Sequence, residues 1–282
     1  MMQDFLRIGW LLGLMFGLGS PALSKDYNQL ILDRIEKMPA GGIYARYRRD
    51  LPESQRFNEL YQTVEDLGSS LQVGLGGQLR VKPEKSARYS FCSSATYLLF
   101  CDVVSEVNFA GGGSRELSGE MANVGDKISV IHGKMDGVGI FGHWNADGPG
   151  TAVLFERLGL GTNFCSFDDA RPGDFMKIFW NESIGKGESG HLVVYLGLNE
   201  TSDQVKVWSS NMNNDDGSHG YGTMWVERSR IKRVLFSRLE RPENLANWLK
   251  FSEAEHTSEY LVRIRQTGST GEEMKQVTAA KN

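Results

Sequence analysis

Apolar positions recur at helical spacing through the first half of the chain and at strand spacing through the second. Tyr27 to Lys37 (YNQLILDRIEK) predicts a helix, ended by Pro39-Ala-Gly-Gly. Pro52 to Leu67 predicts a second amphipathic helix, opened by Pro52 and Glu53 and closed by Gly68-Ser-Ser. LQVGLGGQLRV reads as a short extended pair or a bent strand. In SFCSSATYLLFCDVV small polar residues give way abruptly to an apolar run, so a central helix opens at Cys92 and runs to about Val107. Asn108 to Gly150 is glycine-rich. GGGSRELSGEM predicts a loop followed by a helix, and Pro149 to Leu158 a short helix with Asp147 as cap and Gly159 as stop. From Pro172 the period changes: PGDFMKIFW, HLVVYLGL, QVKVWSSN, TMWVERS and RVLFSRL are five β-rich runs, the second and third forming a hairpin across Asn199 to Asp203. Glu240 to Leu249 begins a terminal helix. The tail past Gln266 is polar and reads as disordered.

The first 24 residues change the picture of where the chain works. Arg7 supplies a positive charge, Ile8 to Leu18 an apolar core, and Ala22-Leu23-Ser24 a small-x-small cleavage site, the pattern of a secretory signal. The alternative, an uncleaved membrane anchor, needs roughly 20 apolar residues, and this run is shorter. The expectation is a secreted or periplasmic protein with no stable membrane insertion after signal removal. The formal net charge of −4 and the absence of a long basic stripe argue against nucleic acid as a partner.

Three cysteines cannot all pair with one another. Cys92 and Cys101 lie on one predicted helix about 13 Å apart along its axis, too far for a bridge. Cys101 and Cys165 are either bonded to each other or buried as small apolar thiols. Cys92 is different. A thiol in the first turn of a helix meets unpaired backbone N–H groups and the positive end of the helix dipole, and both stabilise its thiolate.

About 100 residues on, SGHLVVYLG places His191 at the start of an apolar strand. Side chains alternate along a strand, so Ser209 and Asn211 share one face of the next one and end near the imidazole if the hairpin forms. A thiolate, an imidazole that accepts and returns its proton, and a polar group that orients the ring are what a cysteine hydrolase needs. Cys92, His191, and Asn211 or Ser209 fill those roles, with the Cys92 backbone N–H as an oxyanion donor. His143 in GHW is the rival base. His132, His219 and His256 belong to no constellation. Trp144, Asn145 and Tyr221, in glycine-rich loops, are candidates for lining a substrate groove or for plugging the core. No HxH, HExxH or CxxC spacing occurs, so neither a metal nor another cofactor is expected. GVGIFG (Gly137 to Gly142) has the spacing of a dinucleotide-binding turn without the surrounding βαβ context.

Phe91-Cys92-Ser93, then Pro172-Gly173-Asp174 opening a strand, then Gly190-His191 with VVYLG, then Trp208-Ser209-Ser210-Asn211 form an ordered set. Over roughly Arg88 to Leu239 that order resembles the papain-like cell-wall cysteine hydrolases of the NlpC and CHAP types. The resemblance implies an α+β fold, with a Cys-bearing helix packed on an antiparallel, partly barrel-like sheet. It implies a hydrolase domain over 83–240, preceded by a helical segment (25–82) and followed by a C-terminal helix (241–265) and a tail (266–282). Cys92 would be nucleophile and His191 base. CHAP-type enzymes carry an acidic residue where Ser209 stands, which leaves the orienting role to Asn211. The implied activity is cleavage of an amide bond in peptidoglycan or another amide-containing polymer. The alternatives on the same fold are a non-catalytic binding domain and an acyltransferase using the same pair.

Overall fold

A computed structural model describes residues 26–45, 52–86, 88–108, 114–124, 128–129, 133–134, 136–215 and 217–282. The proposed signal segment and His132 lie outside these residues. The fold is α+β. Its spine is an antiparallel six-stranded sheet made of β1 (Gly161–Phe164), β2 (Phe175–Phe179), β3 (Gly190–Asn199), β4 (Gln204–Ser209), β5 (Gly222–Glu227) and β6 (Arg233–Leu239), in the order β5-β4-β3-β2-β6-β1. β1 and β5 form the two edges and do not pair with each other, so the sheet is open where a partly barrel-like one was expected. β1 itself went unpredicted, because its four residues, GTNF, show no apolar alternation.

Alternation along the strands divides the core. Leu192, Val194, Phe175 and Trp208 pack against helices on one face, whereas Val193, Tyr195, Val205, Val207, Met176 and Ile178 form a separate cluster. The helical layer on the first face is α1 (Tyr27–Ile35), α2 (Glu53–Ser70), α3 (Cys92–Asn108), α4 (Arg115–Ala122) and the short α5 (Gly139–Trp144). α3 is central: Tyr97, Leu98, Leu99, Phe100, Cys101, Val103 and Val104 are all fully buried. Burying a large apolar side chain contributes roughly 1.5–3 kcal/mol, so packing rather than intrinsic propensity holds this helix. GVGIFG ends inside α5 and opens no βαβ unit, which removes the dinucleotide reading.

α6 (Gly150–Leu158) stops at Gly159, whose left-handed φ of +67° suits a residue without Cβ. Its N-cap is Pro149 with no capping side chain, where Asp147 had been expected. Asp174 of the PGD turn is structural. Its carboxylate accepts from Arg238 Nε and Nη2 and from Asn28 Nδ2, tying α1 to the sheet.

Beyond the sheet, the predicted terminal helix is instead a 3₁₀ run over Pro242–Lys250. It is followed by α7 (Glu259–Thr267) and α8 (Gly271–Thr278). α8 corrects the expectation of a disordered tail. Thr270 caps it by accepting from the Glu273 N–H, and Met274 is fully buried against residues of α6 and α7. The tail reads as polar because only one side of a short helix is apolar. Among the described residues no helix is long and apolar enough to cross a membrane.

Candidate active site

The first turn of α3 opens into a cavity of about 520 Å³. The Ser94 side chain reaches back to accept from the Phe91 N–H at 2.8 Å and donates to the Phe91 carbonyl at 3.0 Å, which fixes the helix entrance. Two residues of the α5 end cover the same turn. Trp144 Nε1 donates to Thr96 Oγ1 at 3.0 Å, and Ser93 donates to Asn145 Oδ1. Trp144 and Asn145 thus border the cavity, and Trp144 is at the same time almost wholly buried in the core.

His191 meets Cys92 there. It is the second residue of β3, opposite Ile178 of β2, and is 5% exposed. Its imidazole and the backbone N–H of the next residue, Leu192, act on the Cys92 thiol and favour its thiolate. Burial alone would push the Cys92 thiol up. The His191 imidazole, the Leu192 N–H and the Lys177 ammonium outweigh burial and bring the pKa down to about 6. The Tyr44 ring stands edge-on to the imidazole at 6.4 Å. His191 Nε2 is buried without a hydrogen-bond partner.

The third position departs from expectation. β4 ends at Ser209, and Asn211 turns away with φ +72°, its N–H donating to the His219 carbonyl. Asn211 is exposed and does not line the cavity. Ser209 is fully buried and donates to the Leu192 carbonyl at 2.8 Å, with the Cys92 carbonyl at 3.5 Å. It therefore ties the strand to the helix instead of orienting the ring. The expected hairpin pairs this strand with the one His191 begins, as far as Trp208 opposite Val194, but neither Ser209 nor Asn211 reaches the imidazole, because alternation does not show where a strand stops.

His143 is excluded as the base. It is fully buried, with Nδ1 donating to the Gly139 carbonyl at 2.8 Å and Nε2 accepting from Arg157 at 2.7 Å. Burial pulls its pKa to about 4, which keeps it neutral. Tyr221 is also removed from the site: it is fully buried and its hydroxyl pairs with Ser86 at 3.0 Å. Cys101 and Cys165 are both free thiols; Cys101 is buried as the second alternative had it, whereas Cys165 is only half-buried, and burial pushes both upward in pKa. Among the described residues no group of His, Cys, Asp or Glu could hold a metal ion.

Beside Tyr44, two charged cavity residues were missed. Lys177 of β2 pairs in register with Leu192, and its ammonium meets Glu188 Oε1 at 2.5 Å. Glu188 Oε2 accepts from the Gly148 and Gly185 N–H groups at 2.6 and 2.9 Å. The available signal was a lone Lys inside the apolar run FMKIF, with a Glu just ahead of SGH. No protein-family model, curated protein or solved structure matches this chain.

Proposed function

We propose that this protein is a cysteine hydrolase that cleaves an amide bond through a Cys92 thioester. The observation that carries the reading is the Cys92–His191 pair, at a helix start and a strand start, opening together into one cavity. The thiolate attacks the carbonyl carbon, forming a C–S bond, while first-turn N–H groups of α3 offer donors to the developing oxyanion. The imidazolium returns its proton to the leaving nitrogen as the C–N bond breaks. Water, deprotonated by the neutral imidazole, then attacks the thioester. The acid forms, and the thiolate and imidazolium are restored.

The ordered motifs, with a Cys-bearing helix on an antiparallel sheet, support a papain-like core of the cell-wall type. On that reading, together with the signal-like start of the chain, the substrate is the peptide part of peptidoglycan outside the cytoplasmic membrane. The test is incubation of the purified protein with purified peptidoglycan, scored by soluble fragments and newly freed amines. Release by the parent protein and none by Cys92→Ala supports the reading. Equal release by both, or none by either, overturns it.

A further inference from the structure

Lys177 helps to hold Cys92 as a thiolate but touches no reacting atom in the proposed hydrolysis, and its ammonium stands in the wall of the same cavity. We propose that Lys177 is a specificity residue that binds a carboxylate on the substrate next to the amide Cys92 attacks. The inference rests on the reading of Cys92 as nucleophile.

The ammonium is held in place on purpose-built packing. Glu188 is pinned by two backbone N–H groups on one oxygen and directs the other at Lys177. Gly190, just before His191, leaves room for the pair: a Cβ there would stand 2.6 Å from Glu188 Oε1 and 2.9 Å from Lys177 Cε. An ammonium has three N–H donors, and Glu188 takes one. Two carboxylates face this cation, those of Glu188 and Asp147, and both favour its charged form. Register brings it across from Leu192, the neighbour of His191, and it lines the same cavity as Cys92, so an anion reaching Lys177 lies beside the reacting sulfur. The N-terminal turn of α6, which has no capping side chain, lines the wall alongside.

Alkylation at Cys92 tests this without a natural substrate. Iodoacetate and iodoacetamide react identically: thiolate sulfur forms a C–S bond and iodide leaves. They differ in one negative charge, and the thiolate fraction cancels from their rate ratio. The iodoacetate-to-iodoacetamide ratio at Cys92 is expected to exceed that of glutathione by about fivefold or more, the effect of one close charge contact. It should fall by a similar factor in Lys177→Gln and persist in Lys177→Arg. Lys177→Gln/Glu188→Gln removes both charges and guards against misfolding of the single variant. A ratio equal to that of glutathione, or unchanged in both Gln variants, overturns the proposal.

A second arm uses two synthetic peptides that differ only in a carboxylate or carboxamide beside the scissile bond. Lower KM for the carboxylate in the parent protein, lost in Lys177→Gln, supports the assignment; equal KM values overturn it. If neither peptide is cut while the labelling preference holds, the anion site stands and the hydrolase reading falls. If neither reagent labels Cys92 faster than the other cysteines, both fall.

Discussion

Cys92 and Cys101 share one helix and one chemistry, and the fold gives them opposite characters. Cys101 sits at the middle of α3, fully buried, and burial drives its thiol well above the ordinary value, with only Tyr97 as a hydrogen-bond partner to oppose it. Cys92 is also penalised by burial, but the imidazole, the Leu192 N–H and Lys177 reverse the sign. The two histidines divide the same way. His143 spends both ring nitrogens on fixed partners, whereas His191 keeps one nitrogen for a thiol. Burial bears on all four residues, although Cys92 is only half-buried at the cavity wall. What separates them is whether an opposite charge and an open cavity lie next to the buried group.

The largest effect is expected at the nucleophile. Cys92→Ala should lower kcat by a factor on the order of 10⁵ to 10⁶, as loss of a nucleophile does elsewhere. Cys101→Ala should leave kcat near the parent value and lower the unfolding free energy by about 1–2 kcal/mol through the small cavity it leaves. Steady-state kinetics and denaturant melts separate the two, and a catalytic defect in Cys101→Ala would end the contrast. Next come the histidines. His191→Ala should cost about 10²–10⁴-fold in turnover by removing the base. His143→Gln should lower stability with little change in turnover.

Reactivity sharpens the contrast further. Iodoacetamide labelling of Cys92, followed against pH by peptide mapping, should rise with a midpoint near pH 6. Cys165 should follow only in the alkaline range, and Cys101 only after unfolding. The same shift fixes a sign in stability. The Cys92 pKa is lower in the folded state than in the unfolded chain, near 8.5 for a free thiol. Its contribution is therefore fully present above about pH 8.5 and is lost as pH falls through 6. Cys101, raised on folding, contributes in the opposite sense and loses stability as pH rises through the unfolded value. Between pH 6 and 8.5 the Tm of the parent protein should gain on that of Cys92→Ser as pH rises; a constant difference would contradict the lowered Cys92 pKa.

The smallest effects fall on the strand end. Ser209→Ala removes a buried hydrogen bond to the Leu192 carbonyl and should cost about 1 kcal/mol in stability and up to about tenfold in kcat. Asn211→Ala, on an exposed turn outside the cavity, should stay within about twofold. A larger loss in Asn211→Ala than in Ser209→Ala would restore the amide as the orienting group.

Much of the fold was legible because it is periodic. Helical spacing marked α1, α2, α3 and α6, and strand alternation marked β2 to β6. Four-residue β1 and the one-sided α8 were missed, since neither is long enough to show a period against its polar surroundings. In the site, Cys92 and His191 announced themselves by standing at the boundaries of strongly apolar elements, where a polar side chain is held without being part of the core. Lys177, Glu188 and Tyr44 carry no such mark. Their place depends on strand register and on the approach of Gly190 and Gly148, which join residues far apart in the chain.

The amino-acid order by itself determined which thiol would stand at a helix N-terminus and which would be buried in its middle, because helix boundaries follow from local composition. It also determined that His191 would open a strand. Tertiary structure alone decided that the two meet, that β4 ends before Asn211, and that a lysine from the neighbouring strand shares their cavity. Electrostatics act through space, and a residue's charge partners are set by packing between segments whose separation in sequence carries no distance information.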